Sequence, residues 1–522
     1  MSITRRTVLV GGAMLAATPL ARAAQGLPTG VRVDAPAGTF IGTNAAHDVW
    51  SFRGIRYGRA ERFRPPVAEP RLTEVEHADA FGPIAPQRGG GSEAQSEDCL
   101  FLNVWTPRAV RGAQLPVMVY FHGGAYSGGT VTDPLNDGAA LAATENVVVV
   151  TVNHRLNALG YLYLARLDPR FADSGNLGQL DLILALQWIR DNVSSFGGDP
   201  RRVFVFGQSG GGAKIATLMG MPAAKGLFHS AATMSGQQVT ASGPLHAEQR
   251  TRAYLAKLGV KENDLSPLLA MPVQKLIDAL DATDPILGGG VYFGPVLDMK
   301  WLVRHPFWPD ANPQSNAIPI LLGNTHDETR AFIPPDSPRV QGLTWDNLAE
   351  RMAPELRVDI LPEWVVSQYR AHFPGDTPTQ IFYRATTAGR SWPGQVIEAE
   401  ARARAGAHST WVYQVDFPSP VKPDRGAPHM QDIPLVFGTL GAPGSLTGTG
   451  EAAQRLSRQM MGAFAAVART GRPVAPGLPV WPRYTLADRS TMIFDARSRV
   501  EKDPRKWERE LFARVPYIQP GS

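Results

Sequence analysis

The chain has 522 residues, 43% of them hydrophobic and 19% charged, with 52 Gly, 44 Pro and a formal charge of +5. That composition belongs to a loop-rich globular protein and excludes disordered, collagen-like and coiled-coil classes. Cys99 stands alone, so no intramolecular disulfide can form, and no basic stripe interleaved with aromatics follows a nucleic-acid backbone, which argues against nucleic-acid binding.

The first element read from the N-terminus is a targeting segment. Thr4, Arg5 and Arg6 precede an apolar stretch from Val8 to Leu20 and the small-residue sequence Ala21-Arg22-Ala23. Residues 1–24 therefore read as a twin-arginine-type export signal with cleavage near Ala23. The stretch is short of the ~20 apolar residues that span a bilayer and contains Pro19, so no stable membrane anchor is expected after its removal. Cleavage also removes Arg5, Arg6 and Arg22, which lowers the formal charge from +5 to +2. A periplasmic or secreted protein is the expectation, and oligomeric state has no readable signal.

From residue 25 to 522 one domain is expected. Short apolar runs at 115–121, 147–152, 203–206, 318–322 and 410–415 have the length and composition of buried central strands. A helical stretch at 177–193 stops in Phe196-Gly197-Gly198-Asp199-Pro200. Strands alternating with helices predict an α/β fold with a mostly parallel sheet covered on both faces. Functional groups in such sheets gather at the carboxyl ends of strands. Residues 245–315 and 335–405, rich in helix formers and Pro, are candidates for helical caps.

Several strand ends carry unusual chemistry. After 203–206 comes Gly207-Gln208-Ser209-Gly210-Gly211, followed by a helix-favouring stretch at 213–219. This is G-x-S-x-G in the strand, turn and helix setting of a nucleophile elbow. After Phe121 stands His122-Gly123-Gly124-Ala125, whose backbone N–H groups could face a ligand. Acids Asp327 and Glu328 follow the run at 318–322, and His429 follows Val415 in a Gly426-Ala427-Pro428 loop.

Serine is a weak nucleophile unless a base takes its proton and a third group orients that base. Ser209, Glu328 and His429 occur in the serine, acid, histidine order of α/β-hydrolases. Asp327 is the competing acid, while His154, His229 and His326 are the competing imidazoles. Gly210 supplies one oxyanion donor and the 122–125 loop the others.

With residues 96–107 (SEDCLFLNVWTP), the Gly175–Gly178 turn, 192–200, the elbow, the acid and histidine loops, 468–473 (ARTGRP) and 481–484 (WPRY), the chain resembles the type B carboxylesterases across residues 30 to 500. This family includes para-nitrobenzyl esterases and cholinesterases. The resemblance implies one α/β-hydrolase domain with helical insertions over a gorge, and no cofactor or metal. It implies Ser209 as nucleophile, His429 as general base and acid, Glu328 as orienting carboxylate, and Gly124, Ala125 and Gly210 as oxyanion donors. It further implies that the substrate is a small-molecule carboxylic ester hydrolysed through an acyl-enzyme. Amide or carbamate hydrolysis, or a specialised natural-product or xenobiotic ester, is the alternative on the same residues, and a non-catalytic binding protein of the same fold is a further one.

The chain departs from the family pattern at several positions. Gln208 stands where the family usually has Glu, Gly210 where Ala is common, Ala125 at the third oxyanion-loop glycine and Met430 where glycine commonly follows the histidine. Ala85 occupies the position of the usual disulfide partner of Cys99.

Overall fold

A computed structural model describes residues 30–91, 93–519 and 521; the proposed export signal lies outside them. The strands are β1 (Gly30–Ala35), β2 (Gly38–Asn44), β3 (Trp50–Arg56), β4 (Gly58–Arg59), β5 (Val67–Ala68), β6 (Val75–His77), β7 (Phe101–Thr106) and β8 (Leu115–Phe121), then β9 (Val148–Val152), β10 (Gly198–Gln208), β11 (Ser230–Met234), β12 (Ile320–Thr325), β13 (Thr410–Val415), β14 (Ser490–Phe494) and β15 (Arg499–Lys502). Thirteen of them form one sheet in the order β1-β2-β3-β7-β9-β8-β10-β11-β12-β13-β14-β15, with β6 on β2, while β4 pairs β5 separately.

The sheet is parallel from β9 through β8, β10, β11, β12 and β13 to β14, and antiparallel at its N-terminal end. The parallel strands read as unbroken apolar runs because both of their faces are covered. Val117, Val119 and Phe121 of β8 enter one core, while Met118 and Tyr120 enter the other. The same alternation places Val203 and Val205 of β10 on the first face, Phe204 and Phe206 on the second. Each such side chain contributes roughly 1.5–3 kcal/mol when it leaves water. Helices Leu177–Asn192 and Gly210–Gly220 cover the first face, and Glu451–Thr470 the second.

The 177–193 prediction becomes a helix ending at Asn192, continued by a 3-10 turn at Val193–Phe196 whose C-cap Gly197 has φ 88°, a conformation that suits glycine. The run at 203–206 belongs to a longer strand, because Gly198 already pairs with Leu115 before the register shifts.

Helices also occupy the two stretches expected as caps. Pro244–Leu258, Ser266–Ala270 and Val273–Asp278 fall in the first. In the second, Pro362–His372 and Pro378–Arg390 build a satellite core with Lys506–Phe512, centred on Tyr369, Phe382 and Phe512. Cys99 is buried and unpaired. Among the described residues no helix is long and apolar enough to cross a membrane.

Candidate active site

Ser209 sits at the carboxyl end of β10, between that strand and the Gly210–Gly220 helix, with φ 54° and ψ −123°. A non-glycine residue in such a conformation costs on the order of 1–3 kcal/mol and persists only where its surroundings enforce it. Those surroundings are backbone pressed on backbone. A Cβ added at Gly211 would lie 1.9 Å from the Phe121 carbonyl oxygen, and one at Gly210 would lie 2.1 Å from that of Ala125. The glycines thus let the elbow close against the end of β8, which brings the serine beside the 122–125 loop.

That loop carries the other backbone specials. Gly124 and Ala125 have φ 85° and 53°, and Ser235 and Met430 have φ 54° and 75°. All four line, with Ser209, Gly210 and His429, a cavity of about 680 Å³. Ala125, Ser209, Ser235 and Met430 carry side chains at positive φ around this one cavity, and backbone strain of that kind clusters at functional sites. Met430 shows why glycine would suit its position, since it holds a left-handed backbone with a side chain in place. The N–H groups of Gly124 and Ala125 make no hydrogen bond among the described residues. Gly210 opens its helix, where an N–H has no intrahelical acceptor.

Glu328 follows β12 and His429 follows β13. His429 Nδ1 and Glu328 Oε2 are hydrogen-bonded to each other. Glu328 is fully buried. Its other oxygen, Oε1, accepts from Ser235 Oγ at 2.5 Å and from the Thr325 N–H at 2.8 Å. Burial alone would raise this carboxyl, yet the His429 imidazole and those hydrogen bonds hold it below its ordinary value. It therefore stands as a carboxylate that fixes the proton of His429 on Nδ1.

Nε2 of His429 then accepts a hydrogen bond from Gln208 Nε2 at 3.0 Å. Among the described residues no hydrogen bond joins Ser209 Oγ to the imidazole. Gln208, Ser209 and His429 nonetheless line the same cavity. The competing acid is occupied elsewhere: Asp327 Oδ2 faces His326 Nδ1 at 3.2 Å and accepts the Ala427 N–H at 3.0 Å. The competing imidazole His154 is buried and stacks on His122 with ring centroids 4.7 Å apart. Among the aromatic residues lining the cavity are Tyr126, Tyr292 and Phe332.

Sequence reading did not single out several residues around this site. Ser235 braces Glu328, and its signal was its place beside Gly236 after the apolar run of β11. Lys214 Nζ, fully buried, donates to the His122 carbonyl at 3.0 Å. Burial pulls its ammonium down to about 7, and nothing in the order of residues announces either fact. Asp432 is buried and accepts the Tyr413 hydroxyl at 3.1 Å; burial first, then the Glu328 charge, push its carboxyl up to about 7. Among the described residues no group of His, Cys, Asp and Glu could hold a metal ion.

The arrangement contains the parts of acyl transfer: a half-buried serine lining the cavity on a strained turn, an imidazole oriented by a carboxylate, and free backbone donors across the cavity. The comparisons agree. The Carboxylesterase family matches residues 30–512. A para-nitrobenzyl esterase of Bacillus subtilis is 34% identical over 490 residues, which cover 88% of this chain and 94% of that protein. A Rhodococcus erythropolis protein named "Probable N-octanoylanthranilate hydrolase AqdA2" is 34% identical over 428 residues, 78% of this chain and 85% of that one. Among solved structures, the Geobacillus stearothermophilus carboxylesterase EST55 superposes with a TM-score of 0.82 at 35% identity, covering 92% of this chain and 99% of that one.

Proposed function

The chain belongs to the carboxylesterase family and is a serine hydrolase of carboxylic esters with the α/β-hydrolase fold, and on that premise we propose that Ser209, His429 and Glu328 are its catalytic triad. The observation that carries this is the imidazole of His429, hydrogen-bonded to buried Glu328 on one side and lining the same cavity as Ser209 on the other.

In the proposed reaction the Gln208 carboxamide first gives up Nε2 of His429. Ser209 Oγ then attacks the ester carbon while Nε2 takes its proton, and Glu328 stabilises the imidazolium that forms. The carbonyl oxygen becomes an oxyanion held by the N–H groups of Gly124, Ala125 and Gly210, each donor lowering the barrier by ~2.7–4 kcal/mol. The C–O bond to the alcohol breaks, and the alcohol leaves with the proton returned by Nε2. Water, deprotonated by the same nitrogen, then hydrolyses the acyl-enzyme.

The test is hydrolysis of an aryl ester series by wild type and Ser209→Ala, with mass spectrometry after an organophosphonate. Expected are one covalent adduct on Ser209 and a fall in kcat of ~10⁶-fold in the variant. Unchanged hydrolysis by the variant would reject the assignment. A second reading, amide hydrolysis on the same residues, is favoured by the relative named for an N-octanoyl amide; an N-acyl anthranilate assayed beside its ester counterpart separates the two.

We also propose that residues 25–522 form one domain whose helical insertions shape the entrance to the site. Residues from both stretches line the cavity, among them Leu287 and Tyr292 from the first and Arg357 and Arg390 from the second. Export rests on residues 4–23 of the sequence, and an N-terminus beginning near residue 24 in protein recovered outside the cytoplasm is the outcome that supports it.

A further inference from the structure

Two arginines, Arg357 and Arg390, line the cavity that holds Ser209 and His429. Arg390 is the last residue of the Pro378–Arg390 helix. Its guanidinium carbon lies 4.4 Å from the centre of the Phe332 ring, and that ring also lies against the His429 imidazole, at 4.8 Å between centroids. One aromatic ring therefore separates a cation from the proposed general base. Arg357 is fixed through its backbone: its N–H donates to the Gly389 carbonyl at 2.9 Å, and its own carbonyl accepts the Ile518 N–H at 3.0 Å.

The charge of this pair is poorly matched by the protein itself. Arg357 Nε is buried without a hydrogen-bond partner, and its guanidinium makes no hydrogen bond or ion pair among the described residues. Arg390 Nη1 donates to Glu355 Oε2 at 3.4 Å while Arg339 Nη1 takes Oε1 at 2.6 Å, so this one carboxylate answers two guanidiniums. The carboxylates in the cavity wall are committed elsewhere. Asp284 pairs with Arg250 at 2.8 Å and accepts the N–H groups of Ile286 and Leu287, and Asp133 accepts that of Leu135. Beside the nucleophile stands neutral Gln208. Like charges held together away from water are costly unless something answers them. Here burial, and then the Arg357 charge, pull the Arg390 guanidinium below its ordinary value.

We propose that Arg357 and Arg390 form an anion subsite, so that the enzyme prefers esters bearing a second, free carboxylate. This rests on the Ser209 reading given above and adds the substrate class. A planar carboxylate matches the paired donors of a guanidinium, and its entry would replace the missing counter-charge. The carboxylate can belong to the acyl part, as in a monoester of a dicarboxylic acid, or to the leaving alcohol, as in an acylated hydroxybenzoate.

The experiment compares kcat/KM for mono(4-nitrophenyl) glutarate with its methyl-capped diester, and for 3-acetoxybenzoate with methyl 3-acetoxybenzoate. The expected result is a preference for the anionic member of at least one pair by about 10- to 100-fold, the range of a charge-assisted hydrogen bond. A preference in the first pair places the subsite on the acyl side; in the second, on the alcohol side. Arg357→Gln lowers the anionic-to-neutral ratio by a similar factor, and Arg357→Lys retains part of it. In wild type, free glutarate inhibits hydrolysis of the neutral ester competitively, and salt weakens that inhibition. Equal or better turnover of both neutral esters, with glutarate inert, overturns the proposal. If Ser209 still forms its organophosphonate adduct in that case, the subsite alone has failed; if it does not, the triad reading has failed with it.

Discussion

Gln208 Nε2 donates to Nε2 of His429 at 3.0 Å, so the nitrogen proposed to receive the serine proton is capped by a neutral carboxamide. A carboxylate in the same place would attract the protonated imidazole. Gln208→Glu is therefore expected to favour the imidazolium, which cannot act as a base. The acid limb of the kcat/KM profile should move to higher pH by about 1 unit, the lower end of what a close opposite charge produces. A pH–rate profile of each form checks this, and a limb that stays in place or moves to lower pH contradicts it.

Glu328 and Asp327 are neighbours in sequence with different partners. Glu328→Gln removes the group that fixes the proton on Nδ1 of His429, and kcat should fall by ~10⁴-fold, as when a triad acid is made neutral. Asp327→Asn disturbs contacts with His326 and the Ala427 N–H, so a far smaller loss is expected. Steady-state kinetics of the two variants, side by side, identify the acid. Equal losses would mean that loop geometry rather than the carboxylate matters.

Gly124 tests the oxyanion loop. Its φ is 85°, and an added Cβ would lie 2.4 Å from the Gly128 carbonyl oxygen. Gly124→Ala must shift the backbone that presents the Gly124 and Ala125 N–H groups. The expected cost is ~10²–10³-fold in kcat, comparable to loss of one oxyanion donor. An affinity for a trifluoromethyl ketone reduced in parallel would tie the loss to the oxyanion, whereas unchanged kcat would place the oxyanion elsewhere.

Lys214 predicts a dependence of stability on pH. Its ammonium is drawn down to about 7 in the folded protein, against about 10.5 for an exposed lysine, so between these values the unfolded chain binds a proton that the folded chain does not. Stability conferred by this residue then rises with pH across that window, by at most about 1.4 kcal/mol per unit. Below about 7 both states hold the proton and the slope vanishes. Denaturant unfolding at pH 7 and pH 9 should show a larger gain for wild type than for Lys214→Met, and identical gains would refute the assignment.

What could be read from sequence followed the local character of each signal. The central strands announced themselves because a parallel strand covered on both faces carries apolar residues at every position, as Leu115–Phe121 does. Ser209, Glu328 and His429 could be proposed from sequence because each lies in a loop or turn that follows such a run. Ser235, Arg357 and Arg390 were not. Their significance lies in which distant group they meet, Glu328 for the serine and a shared cavity for the arginines, and no short window of sequence encodes such a meeting. Gln208 lay between these cases: its difference from the family pattern was visible, but its contact with Nε2 of His429 depends on how two loops close.

The imidazole of His429 lies 221 residues beyond the carboxamide that it meets. A polypeptide emerging from the ribosome therefore exposes the proposed nucleophile long before the group proposed to activate it has been made. Until the last parallel strands add themselves to the sheet, the nascent chain is chemically silent, and a fragment cut short before that loop is no more reactive than free serine. On that reading competence arrives late, timed by the order of the gene.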